Sequence, residues 1–171
     1  LLRLHRRAGL LVRRGARLNG APGRGCPLAY RYDASLAFKD VDLAVDTLWV
    51  AGGLYGNPFA LEALLARYER EPGAKALVFN GDFHWFDVDA QDHARINREV
   101  LRHRATRGNV ETELAAPSGG AGCGCAYPDW VDQGTVERSN RILERLRATA
   151  QGDAAALARL AALPMTLAAE V

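Results

Sequence analysis

The charge-free run Leu48–Leu54, inside TLWVAGGLYGN (Thr47–Asn57) and followed at once by PFALEALLARYERE, constrains this chain more than any other stretch. Such a run reads as a buried strand. The Gly-Asn-Pro break then closes a tight loop, with Asn57 as N-cap and Pro58 as the first helical residue. Leu61, Leu64, Leu65 and Tyr68 fall on one side of the ensuing helix, and Pro72-Gly73 stops it. Two further apolar runs end in polar turns that contain glycine: AKALVFNGD, ending at Asp82, and ATRGNVE, ending at Glu111. Strands separated by crossover helices run parallel, so their C-terminal ends share one sheet edge. The expected fold is α/β, a parallel-sheet core in βαβαβ order. Ligands of open α/β sheets sit at that edge, which directs attention to Gly53–Asn57, Gly81–Asp87 and Gly108–Glu113.

At 171 residues, 49% apolar and 25% charged, the chain suits one domain with a sizeable core. Residues 1–25 hold seven of the 22 basic residues and no acid, which leaves 15 basic against 20 acidic residues, a net of −5, in the remainder. The expected organisation is a basic, poorly ordered leader over residues 1–25 and a single α/β domain over 26–171. An acidic body gives no support to nucleic-acid binding. No run approaches the ~18 apolar residues of a membrane span. Cys26, Cys123 and Cys125 are too few for a disulfide framework, which favours a reducing, cytoplasmic setting.

Beyond Asp82 the aromatics Phe83, Trp85 and Phe86 flank His84. Asp89 caps a helix expected over residues 90–104, with His93 and His103 at its surface. A third strand is expected to end at Arg107, and a loop containing GGAGCGC to fill residues 113–134. Helices follow from about Asp132, with Val136, Ile142, Leu143 and Leu146 as its stripe, and from the Asp153 cap to Leu163. The closing MTLAAEV reads as another strand, in a fold expected to continue past Val171.

Gly56-Asn57, Gly81-Asp82 and Gly108-Asn109 each pair a small residue with an oxygen-bearing one. Such oxygens suit hard or borderline divalent cations. For Asn57 the capping role is the competing account, for Asp82 a turn, and for His84 a partly buried, hydrogen-bonded ring. Cys123-Gly124-Cys125 can bind zinc or copper, although a closed zinc site needs about four ligands.

GGLYGNPFALEAL, VFNGDFHWFD and RGNVE together resemble the first three motifs of the calcineurin-like metallophosphoesterases, roughly D-x-H-G-N, G-D and G-N-H-[ED]. The resemblance covers about residues 47–113. It implies a double-sheet α/β sandwich and two divalent ions (Mn, Fe or Zn), with Asp82 bridging them and Asn109 a ligand; His84 is a further catalytic candidate beside them. Gly53 and Tyr55 stand where the family has its first aspartate and histidine, and Val110 where it has the histidine that assists the leaving group. His84, Asp87 and Glu111 are the neighbouring groups able to substitute. Asn57, Tyr55 and Trp85 would contact substrate, with Phe83 and Phe86 completing an apolar wall. The implied function is hydrolysis of a phosphate mono- or diester on a small phosphorylated substrate. The alternative is a non-catalytic domain of the same shape that binds a phosphorylated ligand or a protein partner.

Overall fold

A computed structural model describes residues 21–27, 30, 33, 35, 38–116 and 121–171. The leader expected to be poorly ordered lies outside them as far as residue 20. The central layer is a parallel sheet of β2 (Thr47–Ala51), β3 (Lys75–Asn80) and β4 (Arg104–Thr106), in that order. Trp49 faces Leu77 across β2–β3, and Phe79 faces Ala105 across β3–β4. Each crossover is a helix, as the alternation predicts: α1 (Pro58–Tyr68) and α2 (Ala90–Val100). Asn57 caps α1 by accepting from Phe59 N at 3.1 Å and Ala60 N at 3.0 Å, and Asp89 caps α2 in the same way. The chain is therefore α/β with a parallel-strand core.

The middle strand is buried on both faces. Leu77, Val78 and Phe79 are 2%, 6% and 0% exposed, while Val50 of β2 is 60% exposed. The fully buried strand expected at residues 48–54 is thus an edge strand. Trp49 and Ala51 pack on the helical core with Leu61, Phe79, Ile96 and Val100. Leu48, Val50 and Val78 point the other way, into a cleft of ≈ 370 Å³. Its opposite wall includes Leu43 of β1 (Leu43–Ala44) and Ala169 of β5 (Ala169–Glu170), which pair in parallel as a second, two-stranded sheet. The strand expected in MTLAAEV is therefore present. Each large side chain buried in the core contributes about 1.5–3 kcal/mol.

The segment after β4 departs furthest from expectation. β4 ends at Thr106, and Asn109–Ala115 forms a helix, α3, where a loop was expected from Glu113. Glu111, at its third position, reaches back to Gly108 N at 2.9 Å, and Thr112 Oγ1 bonds Gly108 O at 2.7 Å. Two side-chain contacts at its first turn thus hold a helix too short to form alone. α2 stops at Val100, so His103 leaves the helix and packs edge-on to Tyr68 at 5.5 Å. α4 (Gln133–Ala150) and α5 (Ala154–Ala161), capped by Asp132 and Asp153, close the helical side. Val136, Leu143 and Leu146 are buried as expected, and Ile142 only partly so.

Candidate functional site

The three strand-end loops meet, and their glycines are the reason. A Cβ on Gly56 would lie 2.5 Å from Asp87 N, one on Gly81 2.7 Å from Gly108 N, and one on Gly108 2.5 Å from Asp82 N. These glycines thus let the loops approach one another closely. Tyr55 N donates to Asp82 O at 3.1 Å, Gly56 N to Phe83 O at 2.8 Å, and Phe86 N to Tyr55 O at 3.1 Å. Tyr55 and Asp82 both sit in the left-handed region, at φ 52° and 51°. Non-glycine residues persist there only where neighbours over-determine the backbone.

Asp82 and Asn109 are brought together. Asp82 Oδ1 accepts from Val110 N at 3.2 Å, so the carboxylate caps the first turn of α3. Burial raises the Asp82 pKa, and the Val110 and Asn109 amides offset part of the rise. Asn109 donates through Nδ2 to Cys123 O at 3.1 Å. Asn57 stays with its helix cap and joins neither.

Glu111, expected as a substitute metal ligand, is wholly buried and saturated with amides. Its carboxylate accepts from Asp82 N at 2.8 Å, Phe83 N at 3.1 Å, His84 N at 3.3 Å and Gly108 N at 2.9 Å. It fastens the β3 loop to the β4 loop. Burial pushes its pKa up, while the His84 charge and these amides pull it down by less.

His84 and Asp87 belong to a second buried group, completed by two residues that the sequence reading missed. Asp87 Oδ2 accepts from His84 Nδ1 and, at 3.2 Å, from His93 Nδ1. Asn97 closes the ring: Oδ1 accepts from His84 Nε2 at 3.0 Å, and Nδ2 donates to His93 Nε2 at 3.1 Å. In this pairing His84 donates from both ring nitrogens, as an imidazolium beside the Asp87 carboxylate. Burial lowers the His84 pKa, but hydrogen bonding to Asp87 and the Asp87 and Glu111 charges outweigh it, and the net shift is upward. For Asp87 burial raises the pKa, and the bonds and charge from His84 and His93 pull it well below the carboxylate range.

His93 is 4% exposed, not on the surface. The signal was its helical spacing: His93, Asn97 and Val100 share the buried side of α2 with Ile96. Potential ligand atoms of His84, Asp87 and His93 all lie within 4.8 Å of one another, so the group could hold a metal ion. All three residues are buried, so this place is closed to solvent.

The aromatic wall divides. Phe83 is in the core at 0% exposure, Trp85 is half-buried, and Phe86 is 64% exposed. Tyr55 is half-exposed, with its ring folded over Gly53; a Cβ there would meet the ring at 2.5 Å. No helix among the described residues is long and apolar enough to cross a membrane. No family model, no curated protein and no solved structure matches this chain.

Proposed function

We propose that this chain is a phosphoesterase-like domain that holds a phosphorylated ligand at the C-terminal edge of β2–β3–β4 without hydrolysing it. The Tyr55 ring over Gly53 carries this reading. The place where the resembled family has its first carboxylate ligand is filled by a phenol. Asp82 and Glu111 meanwhile serve the backbone. Two-metal hydrolysis depends on ligands that clamp both ions about the reacting phosphate, and these loops are poor in them. A half-exposed phenol beside the exposed Gly52–Gly53 backbone offers a hydrogen-bond donor to phosphate oxygens, and the N-terminus of α1 adds its dipole.

The test is calorimetric titration of phenyl phosphate into the wild-type chain and into Tyr55→Phe, beside Mn²⁺-supplemented turnover of bis(p-nitrophenyl) phosphate. Binding that weakens about tenfold in the variant, from one lost hydrogen bond, with no turnover, is expected. Turnover that disappears in Asp82→Ala would reinstate the hydrolase. No binding in either protein would remove the phosphorylated ligand.

A metal-dependent phosphoesterase is the second reading, favoured by the His84–Asp87–His93 group. Two imidazoles and a carboxylate suit Zn²⁺, Fe or Mn²⁺ better than Mg²⁺ or Ca²⁺. A divalent ion supplies Lewis acidity towards a phosphate ester. Buried as it is, an ion on these three residues would hold the β3 loop in place, and hydrolysis would need a second ion at Asp82 and Asn109.

A further inference from the structure

We infer that Cys123 and Cys125 form a two-thiol clamp for a soft monovalent cation, copper(I). The loop that carries them reverses hand repeatedly: Gly122, Gly124 and Ala126 lie at φ 72°, 67° and 50°, alternating with the two cysteines. The Cys125 thiol turns back on its neighbour, with Sγ 3.5 Å from Cys123 O. Interaction between the two neighbouring thiols lowers the Cys123 pKa and raises that of Cys125.

The clamp is built in advance. Cys123 N donates to Asn140 Oδ1 at 2.9 Å, and Cys123 O accepts from Asn109 Nδ2 at 3.1 Å. Gly23 N bonds Ala121 O at 2.7 Å, and Tyr127 N bonds Gly23 O at 3.0 Å. Cys123 is fully buried and Cys125 partly exposed, so the pair is shielded on one side and reachable from the other. Thiolates suit copper(I), zinc and iron–sulfur centres among the first-row metals, and copper(I) is the ion that two of them can hold alone. Coordination number separates it from zinc. Among the described residues, the only group of three or more His, Cys, Asp or Glu with ligand atoms so close is His84–Asp87–His93, so no third such ligand joins the thiols. A closed zinc site needs about four ligands; a low-coordinate d¹⁰ cation is satisfied by two. Binding displaces the protons of both thiols to solvent, and the sulfurs stay at their original oxidation state.

The experiment titrates the reduced full chain with copper(I) under anaerobic conditions, against a chromogenic copper(I) chelator. Wild type is expected to withdraw one equivalent with proton release, Cys125→Ser to bind about 100-fold more weakly, and Cys26→Ser to match wild type. Cys123→Ser alters the core; the partly exposed Cys125→Ser, checked by its circular dichroism melt, carries the test if that variant does not fold. The inference is overturned if Cys125→Ser binds as tightly as wild type, if Cys26→Ser loses the ion, or if equimolar Zn²⁺ displaces it. Withdrawal of no copper by wild type would overturn it equally.

Discussion

Glu111 and Asp87 are two buried acids on either side of one loop, and they are neutralised by different means. Glu111 spends its charge on four backbone amides, dipoles that neither titrate nor leave. Asp87 spends most of its charge on two imidazoles, groups that exchange protons and can release a carboxylate oxygen to an ion. The same residue class therefore makes architecture in one place and potential chemistry in the other. Saturation with backbone amides marks a strut, whereas saturation with titratable side chains marks a responsive site.

The comparison breaks most visibly at Glu111. Glu111→Ala leaves buried amides of three consecutive residues and of Gly108 without acceptors. A loss of about 4 kcal/mol or more is expected in urea unfolding, enough to unfold a marginal domain. A loss under about 1 kcal/mol would show that water replaces the carboxylate and that Glu111 is no strut. Gly108→Ala drives a Cβ to 2.5 Å from Asp82 N, so relief requires backbone movement; about 2–3 kcal/mol is expected from overpacking.

Asp87→Asn should cost about 3 kcal/mol, because it leaves an imidazolium buried without its anion. Zn²⁺ added to wild type should raise the unfolding midpoint if the ring takes an ion, and Asp87→Asn should abolish that rise. Equal shifts in both proteins would assign the binding elsewhere.

The strut and the ring were unequally legible in the sequence. β2, α1 and β3 were read from apolar runs, a Pro at N1 and an Asn cap, all local signals that burial reinforces. The loop glycines were legible as small residues at the strand ends, but what packs against them was not, since that depends on which loops the sheet order makes neighbours. α3 was missed because its stabilising contacts converge on Gly108, which has no side chain to announce a cap. His93 and Asn97 were missed because polar residues on a helix read as its wet face, and only the packing of α2 on the core reverses that. Glu111 stood out as an acid by a sheet edge; the four amides it serves come from segments about 28 residues apart or three, and no spacing reveals them.

A smaller effect concerns pH. The raised His84 pKa means that its stabilisation is fully present below the ordinary histidine value of about 6.5 and is lost as pH rises through the folded-state value. His103, lowered by burial and Arg102, has the opposite sign, but its window lies below about 6.5. The depressed Asp87 gives stability present above about 3.9 and lost only in strong acid. The lowered Cys123 thiol opposes His84 towards pH 9. Urea midpoints of wild type and His84→Gln, compared at pH 6 and pH 8, isolate the ring. Wild type should lose more stability across that interval than the variant. Parallel slopes would mean that the ring's proton never leaves.

Tyr55 should give the smallest change in stability and the largest in binding. Its residue is half-exposed, and its backbone lies in the left-handed region at φ 52°. Tyr55→Gly removes the ring from Gly53 but also relieves a strain of about 1–2 kcal/mol, which the extra chain entropy of glycine partly cancels. The net change in unfolding free energy should stay within about 1 kcal/mol. If the phenol is the phosphate donor, calorimetric binding of phenyl phosphate should weaken at least tenfold in this folded protein. A loss above about 2 kcal/mol would instead make Tyr55 a packing residue, and its phenol over Gly53 would then seal the sheet edge rather than equip it.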